Sequence, residues 1–141
     1  MIDPIVEQNL IIQQVATLMS PTLVIEDDNI NTQYVNGVMA EYVFVDFGTP
    51  VATADGRSIA GEERQPFSIR VSVAYVAGSR SAARAGASRV AGLVGFVPNT
   101  NSGPLRLVGG GSYTLQDDST KPLKFVSETY FVFVDNLSAD N

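Results

Sequence analysis

Residues 66–95 read PFSIRVSVAYVAGSRSAARAGASRVAGLVG, and this stretch decides the fold. Phe67, Ile69, Val71, Val73 and Tyr75 alternate with Ser68, Arg70 and Ser72. That period of two marks a strand with one buried and one wetter face. Gly78-Ser79 breaks it, and Ser79 or Ser81 supplies a side-chain acceptor for a helix start. The spacing predicts a helix over roughly 80–95 with a core stripe of Ala83, Ala87, Val90 and Val94. Its small residues, Gly86 and Gly92 among them, predict close approach to a sheet.

Working outward, Asp3-Pro4 is a capped helix start. Ile11, Val15 and Leu18, flanked by Ile12 and Met19, recur at helical spacing up to Ser20-Pro21. A first amphipathic helix over 4–19 follows, since the residue before a proline resists the α conformation. Leu23-Val24-Ile25 reads as a short strand running into the acidic turn Glu26-Asp27-Asp28-Asn29. Asn36-Gly37 is a tight-turn dipeptide, and the strand Met39–Phe47 comes after it. The 18 residues from Gly48 to Gln65 have no sustained period and read as a long mobile loop. Residues 98–104, PNTNSGP, are a loop by composition. Leu105–Val108 and Ser112–Leu115 flank Gly109-Gly110-Gly111 as one interrupted strand or a hairpin, with the glycine triplet as a flexible turn. Asp117–Pro122 is a turn, and Leu123–Val134 is the last strand, with Ser127-Glu128-Thr129 as a candidate bulge. Residues 136–141 read as a frayed tail. This order predicts a single α+β domain over 1–141, with a mostly antiparallel sheet and both helices on one face.

The 141 residues suffice for one real core. With 45% hydrophobic and 17% charged residues, the composition is that of a folded chain. There is no cysteine and no histidine, which excludes disulfides, thiol nucleophiles, thiolate metal sites and a Ser-His-Asp arrangement. No phosphate-binding glycine loop is present, and Gly109–Gly111 runs into strand-like Ser-Tyr-Thr-Leu. Asp27-Asp28 and Asp117-Asp118 lack the alternating spacing that wraps a cation. The expectation is a protein that is not an enzyme and uses no cofactor or metal. The acidic N-terminus is unlike a secretory signal, and no apolar run nears the ~20 residues of a membrane span.

Charge is segregated along the chain. The net charge is −6, which opposes general binding to nucleic acid or an anionic membrane. Residues 1–56 carry eight acids and no base, whereas residues 57–106 carry seven arginines against Glu62 and Glu63. Residues 107–141 carry two lysines against five acids. Either both blocks are solvated faces of one monomer, or an acidic patch on one subunit meets a basic patch on the next. Arg80 and Arg84 stack on one helix face, where like charges four apart repel unless something negative lies opposite: the face is either solvated, or it meets a carboxylate on a neighbouring subunit or a phosphate of passing DNA. In an assembly, Ile59 would be buried on a neighbour, and Arg57 and Arg64 would meet acids such as Asp27 or Asp28.

The layout resembles that of the tail terminator proteins of long-tailed bacteriophages. The likeness runs over roughly residues 4–135. It rests on the capped first helix, EYVFVDFGTP (41–50), PFSIRVSVAYV (66–76), SRSAARAGASRVAGLVG (79–95) and GGSYTLQDDSTKPLKFVSETYFVFVD (110–135). The resemblance implies a structural virion protein, made in the host cytoplasm, that forms a hexameric ring at the head-proximal end of the tail. Its partners would be further copies of itself, the tail tube protein and a head-side connector, with DNA only as passing cargo and no membrane. The alternatives are another neck or tube component, or a stand-alone non-catalytic binding module.

Overall fold

The computed structural model describes residues 4–20, 22–25, 34–35, 38–52, 67–98, 102–116 and 119–135. The elements are α1 (Pro4–Met19), β1 (Leu23–Ile25), β2 (Tyr34–Val35), β3 (Val38–Met39), β4 (Tyr42–Phe47) and β5 (Val51–Ala52). They continue with β6 (Phe67–Ala77), α2 (Arg80–Val90), a 3-10 turn (Ala91–Leu93), β7 (Arg106–Leu115) and β8 (Lys124–Asp135). The fold is α+β, as the alternation and helical spacing predict.

The main sheet has the order β1-β4-β6-β8-β7, and β5 adds to β6 beyond the end of β4. Every pairing in it is antiparallel except β1 with β4, which is parallel. Strands β2 and β3 pair separately, with Val35 opposite Val38, which leaves Asn36-Gly37 as their two-residue connection. The chain leaves β6 through α2, passes over the position of β8 to lay down β7, and then returns to fill the gap with β8. Composition explains that order. Strand β8 buries Phe131 and Phe133 on one face and Val126 on the other, so it suits a central position. Strand β7, RLVGGGSYTL, has too little side chain to fill two buried faces and takes the edge.

Both helices pack on one face. Ile11, Val15 and Met19 of α1 join Ala83 and Val90 of α2, and with the inward row of β6 (Ile69, Val71, Val73, Tyr75) they form one core. Glu7 of α1 is also fully buried. Tyr42, Ala74, Val76 and Val126 form a smaller apolar cluster on the opposite face of the sheet. Ser79 caps α2, its Oγ accepting from the Ala82 N–H at 3.2 Å. Gly86 is buried directly over the Tyr75 ring, and a Cβ at this position would overlap ring atoms Cδ1, Cε1 and Cγ. The small-residue helix is therefore a consequence of close approach to β6.

Five details differ from the sequence reading. Helix α2 ends at Val90 and tightens into the 3-10 turn, which turns Val94 out to solvent and puts Leu93 in the core instead. Within the 48–65 loop, Val51-Ala52 are strand, paired with Phe67-Ser68, and the Gly48 N–H bonds to the Arg70 carbonyl at 2.9 Å. The strand read over Met39–Phe47 is split, since Val38-Met39 pair with Tyr34-Val35 and β4 begins only at Tyr42. Gly109–Gly111 is strand rather than turn, and a Cβ at Gly110 would lie 2.7 Å from the Glu128 carbonyl oxygen. The register shift falls in β7 between Leu107 and Gly109, while Ser127-Glu128-Thr129 run straight through β8. Residues 53–66, the 117–118 turn acids and the 136–141 tail lie outside the described residues.

Candidate functional site

Among the described residues, strand β7 is the most unusual surface. It is a terminal strand of the sheet, ten residues long, and all ten residues are exposed. Such an edge presents unpaired backbone N–H and C=O groups to any strand that comes alongside. Leu107, Val108, Tyr113 and Leu115 add exposed apolar surface to it. The usual protections of an edge (shortness, proline, inward charge) are absent from this strand apart from Arg106 and the bulge at Val108. At the other end of the sheet lies β1, of three residues, paired to β4 alone.

The register sorts the side chains of β7 by face. Gly110, Ser112 and Thr114 stand opposite Thr129, Ser127 and Phe125, on the side that carries the helices. Between this row and α2 lies a cleft of about 220 Å³, lined by Arg80, Arg84, Ser112, Thr114, Phe125 and Ser127 among others. The Arg80 guanidinium carbon sits 5.6 Å from the centre of the Phe125 ring, a cation–π contact that holds the side chain over the cleft. Among the described residues no carboxylate lines it. The volume falls short of the ~300 Å³ and more of small-molecule sites. It suits a side chain or small anion.

The opposite face of the hairpin carries hydroxyls. The Tyr130 hydroxyl donates to Glu128 Oε1 at 2.7 Å. This hydrogen bond pushes the Tyr130 phenol up first, with desolvation and the Glu128 charge adding to it. Tyr113, across the ladder, is raised chiefly by desolvation and then by the Glu128 charge. Lys124 is buried, with its Nζ donating to the Tyr42 hydroxyl at 3.5 Å. Nearby, a hollow of about 380 Å³ is lined by Asp46, Arg70, Ser72 and Tyr130 among others. Among the described residues no cluster of three or more acids has the arrangement of a metal site. Among them, too, no helix is long and apolar enough to cross a membrane.

Of the residues expected at a subunit interface, Arg80 and Arg84 are described, exposed and brought together on the cleft. Asp27, Asp28, Arg57, Ile59 and Arg64 lie outside the described residues. Sequence reasoning missed Ser112, Thr114, Phe125 and Ser127, because only the β7–β8 register carries them beneath α2. The one signal for the open edge is a strand pattern interrupted by glycines, which by composition alone reads as a turn. No protein-family model matches the chain, and none of the curated proteins compared with it matches.

Proposed function

We propose that the protein is a structural ring subunit of the tail-terminator kind that its layout resembles. In this reading, copies join head to tail, close into a ring that stops a tail tube, and offer a surface to a head-side connector. DNA passes as cargo, and no chemistry is performed. The observation that supports it is the unlike character of the two ends of the sheet. One end is the free edge β7, with Arg106 on it and Arg80 and Arg84 beside it. The other is β1, which belongs to residues 1–56, a stretch that carries eight acids and no base. A two-fold pairing of β7 with β7 would bring two arginine-bearing edges together. A heterologous contact brings unlike ends together, and such contacts close into rings when the rotation allows. Backbone pairing along β7 supplies directionality, and charge supplies register and selectivity.

Light scattering across a concentration series, with negative-stain images, tests this reading. A closed species near six times the 15.1 kDa subunit mass is expected. A monomer at all concentrations, or a two-fold dimer, overturns it and leaves the stand-alone binding module.

A further inference from the structure

We propose that the cleft between α2 and β7 is a carboxylate socket, filled by the acidic run Glu26-Asp27-Asp28 of a second copy of the chain. The source of the carboxylates rests on the ring reading above, whereas the chemistry of the cleft does not.

The walls of the cleft define the ligand. Arg80 and Arg84, four apart on α2, line it together with the hydroxyl-bearing Ser112, Thr114 and Ser127. Arginine presents a planar fork of donors that matches a carboxylate with two parallel hydrogen bonds. The Phe125 ring holds the Arg80 guanidinium through a cation–π contact, which consumes none of its N–H donors. Two like charges on adjacent helix turns repel, and an anion between them removes the repulsion. Among the described residues, no acid from this copy lines the cleft. Its size takes one or two acidic side chains and leaves no room for a nucleotide.

Topology names the occupant. The cleft flanks β7, and β1 ends the sheet on the opposite side. In the sequence, the last residue of β1, Ile25, is followed at once by Glu26, Asp27 and Asp28. Charge complementarity matches these three consecutive acids of one copy to the two arginines of another, whose cleft holds no acid among the described residues. The pairing differs from the one expected from sequence, which matches Asp27 and Asp28 with Arg57 and Arg64. Here Arg80 and Arg84 take that role.

The test has two arms. In the first, Arg84→Glu, the pair Asp27→Arg with Asp28→Arg, and the chain carrying both sets are compared by sedimentation at low salt. Each reversal alone is expected to weaken association by about tenfold or more, and the combined swap to restore it to within about threefold. The melting temperature of each variant, unchanged, shows that it folds. In the second arm, a peptide of residues 22–32 is titrated into isotope-labelled protein, monomeric if need be. It should move the side-chain signals of Arg80 and Arg84 and the amides of Ser112–Thr114. A control peptide carrying Glu26→Gln, Asp27→Asn and Asp28→Asn should not. Rings that survive Arg84→Glu intact, or a swap that fails to rescue, overturn the socket while the ring reading stands. Peptide binding at the cleft by a protein that never self-associates keeps the socket and overturns the ring. Absence of both effects overturns the socket.

Discussion

Replacing Gly86 by alanine sets two effects against each other, and the structure decides between them. In the middle of an exposed helix the change would add about 1 kcal/mol of stability through helix propensity. At Gly86 the added methyl falls inside the Tyr75 ring, at Cδ1, Cε1 and Cγ together. Normal carbon contacts lie near 3.5–4.0 Å, so helix or ring must move by about an ångström or more. The ring has nowhere to retreat: Tyr75 is 2% exposed, on a strand clasped between β4 and β8. Its hydroxyl is also held by Glu41. Overpacking of this kind costs about 1–3 kcal/mol, and an immovable partner places this site at the upper end. The net expectation is a loss of about 2 kcal/mol, or a fall in melting temperature of roughly 6 °C for a domain of this size. Thermal and urea unfolding of Gly86→Ala, Tyr75→Leu and the double variant measure it. With the ring gone, the methyl has room, and Gly86→Ala should turn from a loss of about 2 kcal/mol into a gain of about 1 kcal/mol, a coupling of about 3 kcal/mol. A Gly86→Ala protein as stable as the parent, or an equal loss in the Tyr75→Leu background, refutes the close-approach account.

Alkaline pH should destabilise the fold through its tyrosines. Tyr75 is raised by burial first and then by its hydrogen bond to Glu41, and Tyr113 and Tyr130 are raised as well. The folded chain thus keeps phenol protons that the unfolded chain releases near pH 10, so stability is full below about pH 10 and falls as pH climbs through the raised folded values. Urea unfolding from pH 8 to 11 should show this loss, with a shallower slope in Tyr75→Phe. Lysines at two exposed edge positions, Leu107→Lys with Leu115→Lys, should abolish association in light scattering and leave the melting temperature within about 2 °C, since both side chains are about half exposed. Raising salt from 0.05 to 0.5 M should dissociate the proposed ring, because Arg80 and Arg84 are exposed and salt screens their charge pairs; a ring indifferent to salt rules those pairs out. Millimolar Ca²⁺, Mg²⁺ or a chelator should not move the melting curve, as the paired aspartates lack cation-wrapping spacing.

Much of this protein was legible in its sequence because the signals were local. The 67–77 alternation, the Ser79 cap and the helical spacing of Ile11 and Val15 each depend on neighbours within a few residues. Composition alone removed the usual nucleophile–base pairings. Tertiary structure decided the rest, because strand order is a long-range choice. Nothing local says that β8 inserts between β6 and β7, or that β1 joins β4 in parallel. That insertion follows from a competition for the buried middle, which aromatic and branched β8 wins over glycine-rich β7. The losing strand becomes the free edge, and its register carries Ser112 and Thr114 under Arg80 and Arg84. The residues of the cleft are scattered from 80 to 127 in the chain, and only the packing of α2 on β6 and β8 brings them within reach of one another.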